Sequence, residues 1–380
     1  MVKPKFLLVS TVSLTLYFFK GQVRFLNQYF DVEVVASPDE KLESFAKTEG
    51  VIYHGLPMRR EISLFQDIMS LLKMIRLVHK TKPEIIHGNT PKAGLISMMA
   101  GWLMRIPGRI YYVHGLRYEG ASGLKKRFLM LMESLSCHFA TEIFSVSYGI
   151  KEKLASDKIT SKEVSVISNG SINGIDPNFF NPALFSKKNI REKYNIPSTA
   201  VVLGYVGRLV GDKGINELIE AFLGLKQERE RLYLLLVGNF EDHLDPLKSS
   251  TKETIETHPN IKAVGFQSDI RPFLSAMDLF VFPSYREGFG VSLMEAGAMG
   301  LPIISTNITG CNEIIQQGSN GFLVPSKSSL ELISKVSGIL NGTQNVSWDA
   351  HQIRNHIITK YDQNRIWNEA YQYYSKVLGN

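Results

Sequence analysis

The sequence predicts an α/β protein made of two doubly wound, parallel-sheet domains, and three observations lead there. First, 380 residues exceed the usual size of one hydrophobic core. Second, short apolar runs rich in β-branched residues alternate with longer amphipathic stretches, the mark of repeated βαβ units. Third, the alternation breaks near the middle, at 178–198, where Pro182 and Pro197 follow closely on Pro177. That stretch reads as a linker, with domains at 1–185 and 186–361. The segment 362–380 is aromatic and helical in pattern.

Strand-like runs in the first half fall at Phe6–Val12, Val32–Ala36, Val51–His54, Glu84–His87, Arg109–His114, Glu142–Ser147 and Val164–Ile167. In the second half they fall at Val201–Val206, Leu232–Val237, Ile261–Val264, Leu279–Pro283 and Pro302–Ser305. The N-terminus mimics a signal peptide, since Lys3 and Lys5 precede the apolar run Phe6–Phe19. The run is too short to span a bilayer, and Lys20-Gly-Gln-Val-Arg follows it instead of a small-residue cleavage site. A buried first strand and a loop at the ligand-binding end of the sheet is the better reading. No other segment is long and apolar enough to cross a membrane.

Composition is that of an ordinary globular protein, 44% hydrophobic and 21% charged. The two cysteines, Cys137 and Cys311, have no ligand spacing, which fits a reduced, cytoplasmic protein without disulfide or structural metal. The net charge of +7 is all in the first half. Residues 1–185 hold 23 Lys and Arg against 16 Asp and Glu, while 186–380 hold 20 of each. Much of the excess lies in two apolar-basic stretches. One is Arg59-Arg60 followed by Ile62 to Lys82, where Phe65, Ile68, Met69, Leu72, Ile75 and Leu77 are interleaved with Lys73, Arg76, Lys80 and Lys82. The other is Lys125-Lys-Arg-Phe-Leu-Met-Leu-Met132. Taken singly, each fits a core-facing helix with a solvated basic edge. The imbalance between halves favours contact with an anionic membrane surface. No nucleic-acid motif accompanies it.

Two motifs carry the chemistry. In Glu287-Gly-Phe-Gly-Val-Ser-Leu-Met-Glu295, a glycine turn follows the apolar run Asp278–Pro283 and precedes a helix through Met299. A helix N-terminus offers free N–H groups and partial positive charge to a phosphate. On a helix, eight residues span about 12 Å, the separation at which one carboxylate reaches a sugar and the other a ribose across a diphosphate. The second motif is Gly204-Tyr-Val-Gly-Arg-Leu-Val-Gly-Asp-Lys-Gly214. Here a strand enters a glycine-rich loop and a helix over 215–226 leaves it. Arg208 and Lys213 place two cations on one loop, which suits a diphosphate better than a single phosphate, although taken alone the loop fits a solvated strand-to-helix turn equally well. The loop matches neither the dinucleotide fingerprint nor the P-loop.

With these residues the chain resembles the retaining glycosyltransferases of family four, which have the GT-B fold of two Rossmann-like domains facing across a cleft. Gly207-Arg208, Lys213-Gly214, Val264-Gly-Phe266, Glu287 to Glu295, Gly-Leu-Pro-Ile-Ile304, Gly310 and Glu313 occur in the family's order. His87-Gly-Asn-Thr-Pro-Lys-Ala-Gly94, Val113-His-Gly-Leu-Arg117 and Asn169-Gly-Ser-Ile-Asn-Gly-Ile-Asp176 look like bacterial enzymes that build capsule, O-antigen and other lipid-linked glycans.

The resemblance implies a nucleotide-diphosphate sugar donor, with UDP favoured over GDP, no further cofactor and no metal. No D-x-D triplet occurs. It implies a saccharide on a polyprenyl diphosphate as acceptor and a peripheral position on the inner face of the cytoplasmic membrane. Glu287 would bond the hexose and Glu295 the ribose, neither needing a raised pKa. Arg208, Lys213 and the turn Phe289-Gly290-Val291 would hold the diphosphate, Val264 and Phe266 would line the base, and His114 would contact the donor sugar. Gly21 would approach a phosphate, although Lys20-Gly21 replaces the family's paired glycines. Arg117 and Glu119 are acceptor-side candidates or a local ion pair. The C-terminal helix would return to the first domain. The rivals are a GT-B epimerase or phosphorylase, a nicotinamide dehydrogenase without its fingerprint, and a non-catalytic membrane scaffold.

Overall fold

A computed structural model of the chain describes residues 2–59, 63–242, 245–343 and 349–379. Its contacts divide it into two units, Met1–Gly174 with Gln363–Asn380, and Ile175–Asp362.

The first unit is built on seven strands, β1 (Lys5–Val9), β2 (Asp31–Ala36), β3 (Ile52–Gly55), β4 (Ile85–Asn89), β5 (Gly108–Val113), β6 (Glu142–Ser145) and β7 (Val164–Val166). Their order is β3-β2-β1-β4-β5-β6-β7, all pairs parallel. The second unit holds β8 (Val201–Val206), β9 (Leu232–Val237), β10 (Ile261–Ala263), β11 (Leu279–Phe282), β12 (Ile303–Thr306) and β13 (Gly321–Val324). Their order is β10-β9-β8-β11-β12-β13, again parallel. Both sheets thus reverse direction beside their first strand, and ligands of such sheets bind at that point, outside the strands' carboxyl ends. Apolar residues fill both faces of the central strands, as parallel sheets covered by helices require: Leu7, Val9, Val34 and Val35 in one, Val202, Leu234, Leu235 and Leu236 in the other.

The structure departs from the sequence reading in several places. The N-terminal apolar run is a short strand followed by a 3-10 turn, Ser13–Phe19, with Leu16 and Phe19 buried. β13 was not foreseen, because Gly318 and Gly321 read as turn residues. The stretch taken as a linker contains a helix, Lys187–Lys193. Arg191 there is buried, donating to the carbonyls of Ala276 and Ala200 (both 3.0 Å) and to Asp278 (2.7 Å). The polar composition of Lys-Lys-Asn-Ile-Arg-Glu-Lys concealed that core role. Accordingly the contacts divide the chain at Gly174, not at residue 185.

The helix Gln363–Val377 belongs to the first unit. Trp367 Nε1 donates to Asn173 (2.7 Å), Tyr371 stacks on Tyr29, and Tyr374 is buried against Phe6 and His87. Helices Leu64–Thr81 and Gly123–Phe139 flank helix Pro91–Leu103. The first turns Met74 and Val78 inward and leaves Phe65, Ile68 and Leu72 exposed on its opposite face. The second exposes Leu124 and Leu131. Arg60 and Ile62 of the first apolar-basic stretch lie outside the described residues. Among the described residues no helix is long and apolar enough to cross a membrane.

Candidate functional site

In the second unit the two motif loops leave the adjacent strands β8 and β11, at the reversal point of the sheet. Each is shaped by close backbone contact. Gly207 has φ +154°, and its carbonyl lies where a Cβ on Gly238 would sit, at 1.9 Å. Gly214 is left-handed at φ +71°. The loops are stitched together: Tyr285 N–H donates to the Asp212 carbonyl (2.9 Å) and Arg286 pairs with the Asp212 carboxylate (2.7 Å). From the far side, a Cβ on Gly310 would meet the Gly288 carbonyl at 2.5 Å, and the Gly310 carbonyl accepts from Gly290 N–H (2.9 Å).

Lys213 and Glu287 meet directly, forming a short ion pair with both side chains mostly buried. The Lys213 ammonium also lies 5.8 Å from the Phe282 ring centre. Arg208 is more open and pairs with Glu241 across 3.1 Å. The helix Val291–Ala298 begins beyond Glu287 and has no side-chain cap. Glu287 is therefore in the loop, and the helical spacing invoked for the two glutamates does not run between them. The N–H groups differ from expectation as well. Gly290 donates to Gly310 and Val291 to Phe289, whereas Phe289 and Ser292 have no partner for their N–H groups among the described residues. Of the three expected donors only Phe289 is left free, and Ser292 joins it.

Glu295 is on the helix, half-buried, and its carboxyl group has no ion-pair or hydrogen-bond partner among the described residues. Burial pushes its carboxyl up to about 8, a shift the sequence reading did not call for. At the end of β10, the Val264 carbonyl accepts from Gln267 (2.7 Å) and Phe266 N–H donates to Asn239 (2.8 Å). What remains outward is the Phe266 ring, 71% exposed.

In the first unit His114 follows β5. Its Nε2 lies 2.9 Å from Asn89 Oδ1, and its Nδ1 is buried without a partner. Burial depresses its pKa to about 3, so the ring is neutral. Asn89, His87 and Tyr374 behind it are buried and were not anticipated as a group, although His87 and Asn89 fall in a quoted motif. Gly21 is not free for an anion: its N–H and that of Arg24 donate to the Glu49 carboxylate at 3.0 Å. Glycine is required there because φ is +80° and a Cβ would come within 2.8 Å of Trp367. Arg117 and Glu119 lie on a 3-10 turn, Arg117–Gly120. No group of three or more His, Cys, Asp or Glu side chains among the described residues could hold a metal ion.

Known proteins share both halves of this arrangement. The family described as "Glycosyl transferases group 1" matches residues 186–356, and "Glycosyl transferase 4-like domain" matches 24–170. The capsular polysaccharide biosynthesis glycosyltransferase CapM of Staphylococcus aureus is 35% identical, over 100% of this chain and 98% of its own. An Escherichia coli UDP-Gal:alpha-D-GlcNAc-diphosphoundecaprenol alpha-1,3-galactosyltransferase is 27% identical over 78% of this chain and 77% of its own. Among solved structures, Anabaena Alr3699/HepE in complex with UDP and glucose superimposes with a TM-score of 0.82 at 19% identity, covering 98% of this chain and 99% of that one. Two reversed parallel sheets, the paired glycine loops and the full-length relative lead to one conclusion: the chain belongs to the group 1, family-four-like glycosyltransferases of GT-B fold.

Proposed function

We propose that the protein is a retaining, metal-independent glycosyltransferase that moves a sugar from a UDP-sugar to a hydroxyl of a polyprenyl-diphosphate-linked saccharide during capsule or O-antigen synthesis. The Lys213–Glu287 pair at the sheet's reversal point carries this reading. It sets a cation for the leaving phosphate beside a carboxylate for the sugar hydroxyls. The acceptor is inferred from the relatives, one of which is named for a diphosphoundecaprenol substrate.

When the anomeric C–O bond breaks, negative charge grows on the β-phosphate. Lys213, Arg208 and the free N–H groups of Phe289 and Ser292 stabilise it without a metal. The acceptor hydroxyl attacks from the same face, and its proton passes to the departing phosphate oxygen. Glu295 bonds the ribose diol, Phe266 stacks on the base, and His114 bonds a hydroxyl of the transferred sugar. The basic first unit, with Phe65, Ile68, Leu72, Leu124 and Leu131 exposed, rests peripherally on the anionic inner face of the membrane, where a lipid-linked acceptor lies.

The test is transfer from a panel of UDP- and GDP-sugars to saccharide-diphosphoundecaprenol, with and without chelator, reading product mass and anomeric configuration. An α-linked product from an α-donor in the presence of chelator supports the proposal. An inverted product, or dependence on added metal, would refute the mechanism. If no donor is turned over and neither UDP nor GDP raises the unfolding temperature, the non-catalytic scaffold gains ground. A ligand at 100 times its Kd adds about 2.7 kcal/mol when it binds only the folded state.

A further inference from the structure

Behind His114 a row of buried polar groups runs to the C-terminal helix. Tyr374 Oη lies 3.1 Å from His87 Nε2, and His87 Nδ1 lies 3.0 Å from Asn89 Nδ2. Asn89 Oδ1 lies 2.9 Å from His114 Nε2. His87, Asn89 and Tyr374 are each at most 1% exposed. The rings of Phe6, Phe19 and Tyr112 pack around His87. A buried polar chain in such surroundings is tolerable only when each member is satisfied.

The direction of every bond follows from one fixed point. Asn89 Nδ2 faces the Val9 carbonyl at 3.2 Å, and a carbonyl only accepts, so the nitrogen end of the amide must be there. Asn89 Nδ2 therefore also donates to His87 Nδ1, which leaves His87 Nε2 protonated and donating to Tyr374. The Asn89 oxygen can only accept, so His114 carries its proton on Nε2. Both imidazoles are neutral, because burial lowers each to about 3. The remaining nitrogen of His114, Nδ1, is then a lone-pair acceptor without a partner.

We infer that Asn89, held by His87, Tyr374 and the Val9 carbonyl, is a positioning residue that locks His114 in the Nε2-protonated tautomer, so that Nδ1 accepts a hydrogen bond from a ligand hydroxyl. The choice of a sugar hydroxyl as that ligand rests on the glycosyl-transfer reading. The tautomer does not.

The experiment is nitrogen-15 NMR of the histidine rings in the full-length protein, with His114 assigned by loss of its signals in His114→Gln. A pyrrole-type Nε2 and a pyridine-type Nδ1, unchanged from pH 5.5 to 8, are the expected result. A protonated Nδ1 in the wild-type protein overturns the inference whatever the enzyme's activity. Asn89→Leu should give mixed tautomers at His114 and a loss of 10- to 100-fold in kcat. An unchanged tautomer in the Asn89→Leu variant overturns the inference. Should Asn89→Leu not fold, the near-isosteric Asn89→Asp decides. Its carboxylate should bring a His114 titration into the pH 5–8 range and impose a fall in transfer at the acid end. Persistence in Asn89→Asp of the pH-independent wild-type His114 signals, with a pH dependence of kcat equal to that of wild type, would refute the positioning role. UDP-glucose, UDP-galactose and UDP-N-acetylglucosamine serve as donors for the kinetic arm. If none is used, that failure falls on the proposed function, and the NMR result still stands.

Discussion

The α-carbon of Gly214 lies so close under the Pro283 carbonyl that a Cβ there would come within 2.1 Å of the oxygen. Gly214→Ala meets a second obstacle, because the residue is left-handed at φ +71°. That conformation alone costs an L-residue about 1–2 kcal/mol. The substitution should lower the unfolding free energy by more than that and weaken UDP binding, since both motif loops must move apart. Urea denaturation and a UDP thermal-shift titration check it. Wild-type values in both would show that the loops do not depend on this contact.

Lys213→Met should be destabilising, because it strands the buried Glu287 carboxylate. Breaking a buried pair typically costs about 3–5 kcal/mol. Adding Glu287→Gln should restore most of that stability while transfer stays at least about 100-fold down, the usual scale for loss of a charge-stabilising donor. Recovery of transfer in the double variant would mean that the pair is structural.

If Glu295 holds the ribose as proposed, nucleotide binding should be pH-dependent. In the folded protein its carboxyl titrates at about 8, above its ordinary 4.5. A ribose diol donates to the ionised form, so binding expels a proton. Affinity for UDP should rise with pH, by up to about tenfold per unit, and level off near pH 8. The linkage to folding has the opposite sense. The unfolded chain gives up this proton at lower pH, so this group's contribution to stability is present below about 4.5 and lost as pH rises towards 8. Titration calorimetry on wild type and Glu295→Gln tests this, and an equal slope in both would remove Glu295 from the ribose site.

The exposed faces of helices Leu64–Thr81 and Gly123–Phe139 predict lipid binding. Phe65→Ser with Ile68→Ser should reduce co-sedimentation with phosphatidylglycerol vesicles. Replacing Lys125, Lys126 and Arg127 by Gln should reduce it further and weaken its salt dependence, by about 1 kcal/mol per charge. Wild-type binding by the combined variant would place any membrane contact elsewhere.

How much was legible in the sequence depends on the kind of signal. β8 and β9 were readable to the residue, because each mainly apolar run is closed by a glycine, Gly207 and Gly238. β13 was not, since Gly321 opens it just after Gly318 and only three residues follow before Pro325. The helix Lys187–Lys193 was hidden by its charge, with Arg191 anchored inward by carbonyls that no sequence pattern reveals. At the site, residue types and order pointed to Arg208, Lys213, Glu287 and Glu295. Which N–H groups stayed free depended on Gly310, a residue far along the chain. The Tyr374–His87–Asn89 row was out of reach for the same reason, as its members come from one strand and the last helix.

Backbone contacts hold the Glu287–Val291 turn, with Gly214 beneath Pro283 just before it and Gly310 against Gly288 within it, and the Arg286–Asp212 pair ties the two loops beside them. The path of its backbone is therefore set mainly by glycines and leaves the solvent-facing side chains little part in shaping it. On the proposed function, donor choice and phosphate chemistry become separable traits, so a library that varies solvent-facing side chains and keeps Gly214, Gly288 and Gly310 should reach new sugars while keeping the reaction.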